Sequence, residues 1–319
     1  MSIITTDTPS PQPFKGDRER RRFACEERVP TLYKFTPFNT PERRRWVSEI
    51  LLPPHRIYFA ASSQLNDPFD LKPLLRLPSG ISERELRVLL TTDAEQHWAR
   101  QPPSDELLAI YRARLRTIDL QQLERESEER VHQRIEEHYG VFSLACELDR
   151  VEMWNEYADQ RRGLCIHFRA DAFSPFGFAQ RVLYQLERSV LPLPLPAERE
   201  VADRALLTKS ATRWEKECEY RLLRYPENVY EAAGLRVEGR YGYFRPDAVT
   251  GITVGTDMPP SDVEVIKSFA GAFDPPLPLD RPRLVALPND RPTREKAPAF
   301  HHTERFPERT GIDEQTTRD

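Results

Sequence analysis

Lys209–Leu223, KSATRWEKECEYRLL, constrains the fold of this chain more than any other stretch, because its second half changes character at every residue. Charges fall at Glu217, Glu219 and Arg221, with Cys218, Tyr220 and Leu222 between them. At the two-residue period of a β-strand, the three charges share one face while Cys218, Tyr220 and Leu222 point into a core. Two carboxylates and a guanidinium on one face are unremarkable in water and costly if buried unpaired. Two readings stay open: a solvated edge with an Arg–Glu cross-pair, or a polar site under cover.

A chain of 319 residues can bury one substantial core or two small ones, and the expectation is one principal domain over residues 29–287. With 29 prolines against 12 glycines, the connections should be stiff rather than flexible. The net charge of −4 gives no bulk drive toward nucleic acid, and the basic runs at Arg18–Arg22 and Arg43–Arg45 have acids close by. Cys25, Cys146, Cys165 and Cys218 are widely separated, with no zinc-type spacing, and read as reduced thiols. No apolar run is long enough to span a membrane and no hydrophobic signal region is evident, so a cytoplasmic protein without membrane contact is expected.

Residues 1–28 are rich in Thr, Pro and charge and are expected to be disordered, as is the tail 288–319. Order should begin with a strand at Val29–Phe35, followed by a helix that Thr40 caps and Pro41 starts. Arg56–Ala60 reads as a strand, and Asn66-Asp67-Pro68 as a turn with Asp70 just beyond it. Residues 81–138 change to a helical pattern and form an inserted helical region, a candidate surface for a partner protein. Tyr139–Cys146 and Gly163–Phe168 read as strands around a short helix at Val151–Asp159 that carries Met153, Trp154 and Tyr157. Further strands are expected at Arg181–Leu186, Tyr241–Phe244, Ala248–Val254 and Arg283–Leu287, with a helix at Pro259–Phe269. His167 reads as a packed or surface histidine.

Four separated pieces then combine: LYKF at Leu32–Phe35, FAASSQLNDPFD at Phe59–Asp70, FSLACELDRVEMWNEYADQRRGLCIHF at Phe142–Phe168, and KSATRWEKECEYRLL. In that order they resemble a bacterial family known only as domain of unknown function 2971, over roughly Thr31 to Ala270. Asn155-Glu156 departs from the Ser-His pair frequent there.

More remotely the arrangement resembles the ADP-ribosyltransferase fold, which implies an α+β architecture of small mixed or antiparallel sheets. That resemblance implies NAD as substrate, and protein, nucleic acid or water as acceptor. The last would make the chain an NAD hydrolase, and a role in bacterial defence or toxin biology would suit either activity. By position it implies Glu219 as the carboxylate that faces the developing charge and Glu217 as the group that orients or deprotonates the acceptor. Tyr157, with Trp154 nearby, would stack on nicotinamide, and Tyr33 or Lys34 would hold the ribose or phosphate end. Arg221 would pair with a glutamate or meet a phosphate. No metal is expected in this reading.

Asn66, Asp67 and Asp70 form a second candidate polar site. In a rival reading Asp67, Asp70, Glu217 and Glu219 gather Mg²⁺ in a nuclease or phosphoesterase. In another, the chain is a non-enzymatic interaction module whose NDPFD segment and tryptophans are structural.

Overall fold

Thr40 and Pro41 set the first helix as their chemistry predicts. Thr40 Oγ1 accepts from Arg43 N at 3.2 Å and Pro41 sits in the first turn, so α1 spans Pro41–Leu51. Its buried face, Trp46, Val47, Ile50 and Leu51, joins the main core. The computed structural model describes residues 23–78, 119–193, 195, 203, 205–210, 214–225 and 231–282. Residues 1–22, most of the inserted region (79–118), the strand expected at Arg283–Leu287 and the tail lie outside the described residues. Packing begins earlier than expected: Phe23 bridges Gln180, and buried Ala24 donates to Ala179 O at 2.9 Å.

In chain order the strands are β1 (Thr31–Thr36), β2 (Arg56–Tyr58), β3 (Leu74–Arg76), β4 (Gly140–Ala145), β5 (Leu164–Arg169), β6 (Gln180–Arg181) and β7 (Leu183–Gln185). They continue as β8 (Val190–Pro192), β9 (Thr208–Ser210), β10 (Glu219–Arg224), β11 (Arg236–Glu238), β12 (Tyr241–Tyr243), β13 (Val249–Val254) and β14 (Leu279–Asp280). The other helices are α2 (Leu120–His138), α3 (Val151–Tyr157) and α4 (Pro260–Gly271). The fold is α+β with mixed sheets, as expected. The largest sheet has the order β14-β13-β5-β1-β4-β10-β6, antiparallel except between β13 and β14. Among the described residues no helix is long and apolar enough to cross a membrane.

Both faces of this sheet are covered. Leu32, Phe142, Leu144, Ile166, Phe168, Tyr220, Leu222 and Ile252 share one face through the register of β1, β4, β5, β10 and β13, and α1 and α4 pack over it. The other face carries Tyr33, Phe35, Ser143, Ala145, Cys165, His167, Glu219 and Arg221. There α3 lays Met153 and Trp154 against Phe35, Ala145 and Cys165. The charges of the focal stretch are therefore not on a solvated edge.

Gly163 joins α3 to β5, though not by a left-handed backbone. Positive φ falls instead on Asp159, Gln160 and Arg161, at 48°, 52° and 67°. Glycine is required at 163 by close approach, since a Cβ there would lie 2.3 Å from Thr36 O and 3.0 Å from Ala158 O. Gly163→Ala is expected to destabilise by about 1–3 kcal/mol, because rigid backbone rather than a flexible side chain must give way. A urea midpoint equal to that of the native chain would show that β1 shifts without cost.

Candidate functional site

β1 and β4 share a single registered pair, Tyr33 with Ala145, and part beyond it. Ala145 is also opposite Glu219, so Tyr33, Ala145 and Glu219 form one row across three strands. A pocket of about 100 Å³ opens where the strands part. Its walls are Tyr33–Thr36 on one side, Ser143–Ala145 on the other, and the side chains of Asn66, Asp70, Tyr157, Lys209, Glu217 and Glu219. That volume is on the scale of one ring, since an apolar cavity of roughly 150 Å³ holds benzene. A larger ligand would place only one ring-sized part inside.

The wall is a charged network. Lys209 Nζ lies 2.6 Å from Glu217 Oε2 and 3.2 Å from Glu219 Oε2, all three side chains being buried. Arg221, 1% exposed, donates to both oxygens of Asp70 at 2.7 Å each, to Glu219 Oε1 at 2.8 Å and Oε2 at 3.1 Å, and to Leu206 O at 3.0 Å. Such fork-to-carboxylate pairing satisfies the guanidinium's donors out of water. Ser143 adds a hydrogen bond to Glu219, and Glu219 N donates to Tyr184 Oη at 3.0 Å. The Tyr157 hydroxyl donates a short bond to Glu217 Oε1 and accepts from Asn66 Nδ2 at 2.9 Å.

Three carboxylates, Asp70, Glu217 and Glu219, thus face two cations, Lys209 and Arg221. The imbalance separates the two glutamates. Burial pushes Glu219 up, but Arg221 and Lys209 together outweigh it and hold its carboxyl well below the usual range. For Glu217 burial wins: Lys209 and the Tyr157 hydrogen bond pull down, the Glu219 charge pushes up, and the carboxyl is raised. Burial lowers Lys209, but Glu219, Glu217 and Asp70 overcome it and keep the ammonium charged. Burial, then the Glu217 charge, drives Tyr157 far above its ordinary value, so it remains a donor.

Distant segments position these groups. Lys209 comes from β9, which pairs with β7 in parallel so that Tyr184 and Lys209 are partners. The Asn66 loop is held by α2, whose Glu136 accepts from Ser62 Oγ at 2.6 Å and Ser63 N at 2.9 Å. Glu124 and Glu128 on the same helix accept from Leu77 N at 2.8 Å and Leu75 N at 3.0 Å. The described end of the insertion is therefore part of the scaffold of the site.

The pocket brings Glu217, Glu219, Tyr33 and Tyr157 of one expected site together with Asn66 and Asp70 of the other, and several expectations need correction. Glu217 is not on the strand: it closes a 3₁₀ turn, Glu215–Glu217, and β10 starts at Glu219. Cys218 between them is half-exposed with φ +45°, not a core residue. Lys34 borders the pocket, but its ammonium sits 4.9 Å from the Phe142 ring centroid and 5.8 Å from Trp46, a step along β1 from the row of Glu219. Trp154 is fully buried, donates from Nε1 to Leu148 O at 2.7 Å and meets Phe35 edge-on, so it supports the wall without lining it.

Arg221 is committed to Asp70 and Glu219 and does not line the pocket. Asp67 Oδ1 accepts from Phe69 N at 2.9 Å, an Asx turn outside the pocket. With Asp67 in a turn and both oxygens of Asp70 and of Glu219 on Arg221, these acids do not gather as cation ligands. The sequence did not single out Lys209, Ser143 or Tyr184. Lys209 heads the focal stretch, but a lone lysine in a short polar strand reads as surface.

His167 packs edge-on against Tyr33 at 5.0 Å and shares a 2.9 Å hydrogen bond with Thr253 Oγ1. Burial lowers it to about 4, against a weak opposing pull from Asp280. The neutral form is thus native. Above the unfolded value of 6.5 its contribution is complete, and it is lost as pH falls toward 4, because only the unfolded chain takes up the proton easily. This loss amounts to at most about 3 kcal/mol, and His167→Gln is expected to flatten it in urea titrations between those pH values. An unchanged slope would mean the ring is hydrated.

No protein-family model, curated protein or solved structure matches this chain.

Proposed function

We propose that the chain cleaves the bond between nicotinamide and ribose in NAD, as an ADP-ribosyltransferase or NAD hydrolase, and that it belongs with the domain-of-unknown-function family 2971. The observation that carries this reading is the pair of buried glutamates, one held ionised and one raised, on the wall of a ring-sized pocket. In this reading nicotinamide enters between Tyr33 and Tyr157, and the ribose meets Glu219. As the C1′–N1 bond breaks, its electron pair goes to the ring nitrogen and positive charge builds on the ribose. Glu219, ionised and fixed, faces that charge without having to reorganise.

Glu217, the more basic carboxylate, takes the proton from the attacking hydroxyl or water as its oxygen bonds to C1′. Lys209 balances the two carboxylates, and Tyr157 holds Glu217 in place through its hydroxyl. Mass-spectrometric detection of free nicotinamide, after incubating the purified chain with NAD and cell lysate, tests the reading. Release above a protein-free control is expected. No release from the folded chain overturns it and leaves the pocket to a non-enzymatic binding module.

A further inference from the structure

Cys146 follows and Cys218 precedes the last registered pair of β4 and β10, Ala145 with Glu219. Cys146 N donates to Cys218 O at 3.2 Å. The two sulfur atoms and a Glu147 carboxylate oxygen all lie within 4.8 Å of one another, and both thiols are half-exposed. Cys218 Sγ is 3.6 Å from Glu147 Oε1.

The charges around the pair favour a thiolate over a bound cation. Glu147 is gripped by Arg150, through Nε and through Nη2 at 3.0 Å, while Arg150 Nη1 also reaches Lys216 O at 2.9 Å. A guanidinium clamped on the one carboxylate repels a divalent metal and attracts a negative sulfur. Arg181 adds a second positive charge near Cys146. The hydrogen bond from Cys146, opposed by burial and by Glu147 and reinforced by Arg150, brings the Cys218 thiol down to about 7. The same hydrogen bond, burial and the Cys218 and Glu147 charges push Cys146 up.

We infer that Cys146 and Cys218 form an oxidisable dithiol, in which Cys218 attacks a hydroperoxide and Cys146 resolves the product to a disulfide. In the first step the Cys218 thiolate forms a sulfur–oxygen bond while the peroxide O–O bond breaks. The departing oxide takes a proton from solvent, leaving a sulfenic acid. In the second, Cys146 sulfur attacks Cys218 sulfur, the hydroxyl leaves and takes the Cys146 proton as water. Two electrons pass from the thiols to the hydroperoxide. The link would clamp the left-handed turn between Glu217 and Glu219, coupling redox state to the pocket wall, and its formation does not depend on the NAD reading.

The test uses the full chain, hydrogen peroxide, an alkylating quench and peptide mass spectrometry, with half-exposed Cys25 as internal reference. A Cys146–Cys218 linked peptide is expected as the main product. In the reduced chain at pH 7, iodoacetamide should modify Cys218 about tenfold faster than Cys25, and Arg150→Gln should reduce that lead. In Cys146→Ser a sulfenic acid should persist on Cys218 long enough for dimedone to trap it. Oxidation of Cys218 to the sulfinic level with Cys146 still alkylatable would overturn the inference. So would equal reactivity of Cys218 and Cys25, or a zinc ion that shields both thiols.

Discussion

Replacing Arg221 with methionine is expected to cost about 3–5 kcal/mol of stability, because it strands Asp70 and one side of Glu219 in a dry interior. The side chain is 1% exposed and supplies both hydrogen bonds that hold the Asp70 carboxylate to it, so no solvent stands ready to replace the guanidinium. A loss of that size is a large part of the ~5–15 kcal/mol that stabilises a typical domain. The pH dependence of stability should change as well. In the native chain the depressed Glu219 carboxyl contributes stability above its ordinary value of 4.5, and that contribution is lost as pH falls through its folded value. In Arg221→Met burial acts on Glu219 without the largest charge that opposes it, so stability should instead rise as pH falls from 7 toward 5. Urea midpoints across that range measure both effects, and a loss below about 1 kcal/mol would mean water reaches the network. Arg221→Lys should lose less, keeping the charge but not the fork.

Glu219→Gln is expected to lower nicotinamide release by about 10²–10³-fold, the usual consequence of removing one preorganised charge from a transition state. Glutamine keeps the volume and an oxygen for Arg221 Nε, and Arg221 keeps Asp70, so the chain should remain folded. Circular dichroism and the urea midpoint separate lost chemistry from lost structure. Glu217→Gln should act differently: if Glu217 removes the acceptor proton, its loss flattens the acidic limb of the pH–rate profile as well as lowering the rate. Release unchanged in Glu219→Gln would remove this residue from the chemistry, whatever the activity of the native chain.

The focal strand shows how far alternation reaches. Tyr220 and Leu222 enter the main core, and Glu219 and Arg221 share the other face, as the two-residue period required. The pattern failed at its first two residues, because the strand starts at Glu219 and a left-handed Cys218 sends Glu217 into the pocket from a turn. Alternation reports which residues share a face, not where pairing begins. At α1 the Thr40 cap and Pro41 gave the start to the residue, since capping is a contact between residues three apart. For the NDPFD segment the turn chemistry was legible, but not that Asp67 would be spent on the turn while Asp70, three residues on, would meet Arg221 across the fold.

The amino-acid sequence by itself determined the elements whose causes are local: the capped helix, the alternating strands, the proline-marked turns, and the shared face of Glu219 and Arg221; Tyr33 and Tyr157 were implied only by the resemblance. Only the tertiary structure decided that the charged face is covered, that β1 and β4 part to open the pocket, and that Lys209 arrives from a separate two-stranded sheet. It also decided that Arg221 binds Asp70 rather than a ligand and that Trp154 supports the wall from behind. The physical reason is one of range. A period or a cap is fixed by neighbours a few residues apart, whereas the ionisation and role of each acid depend on which cations and how little water the fold brings to it.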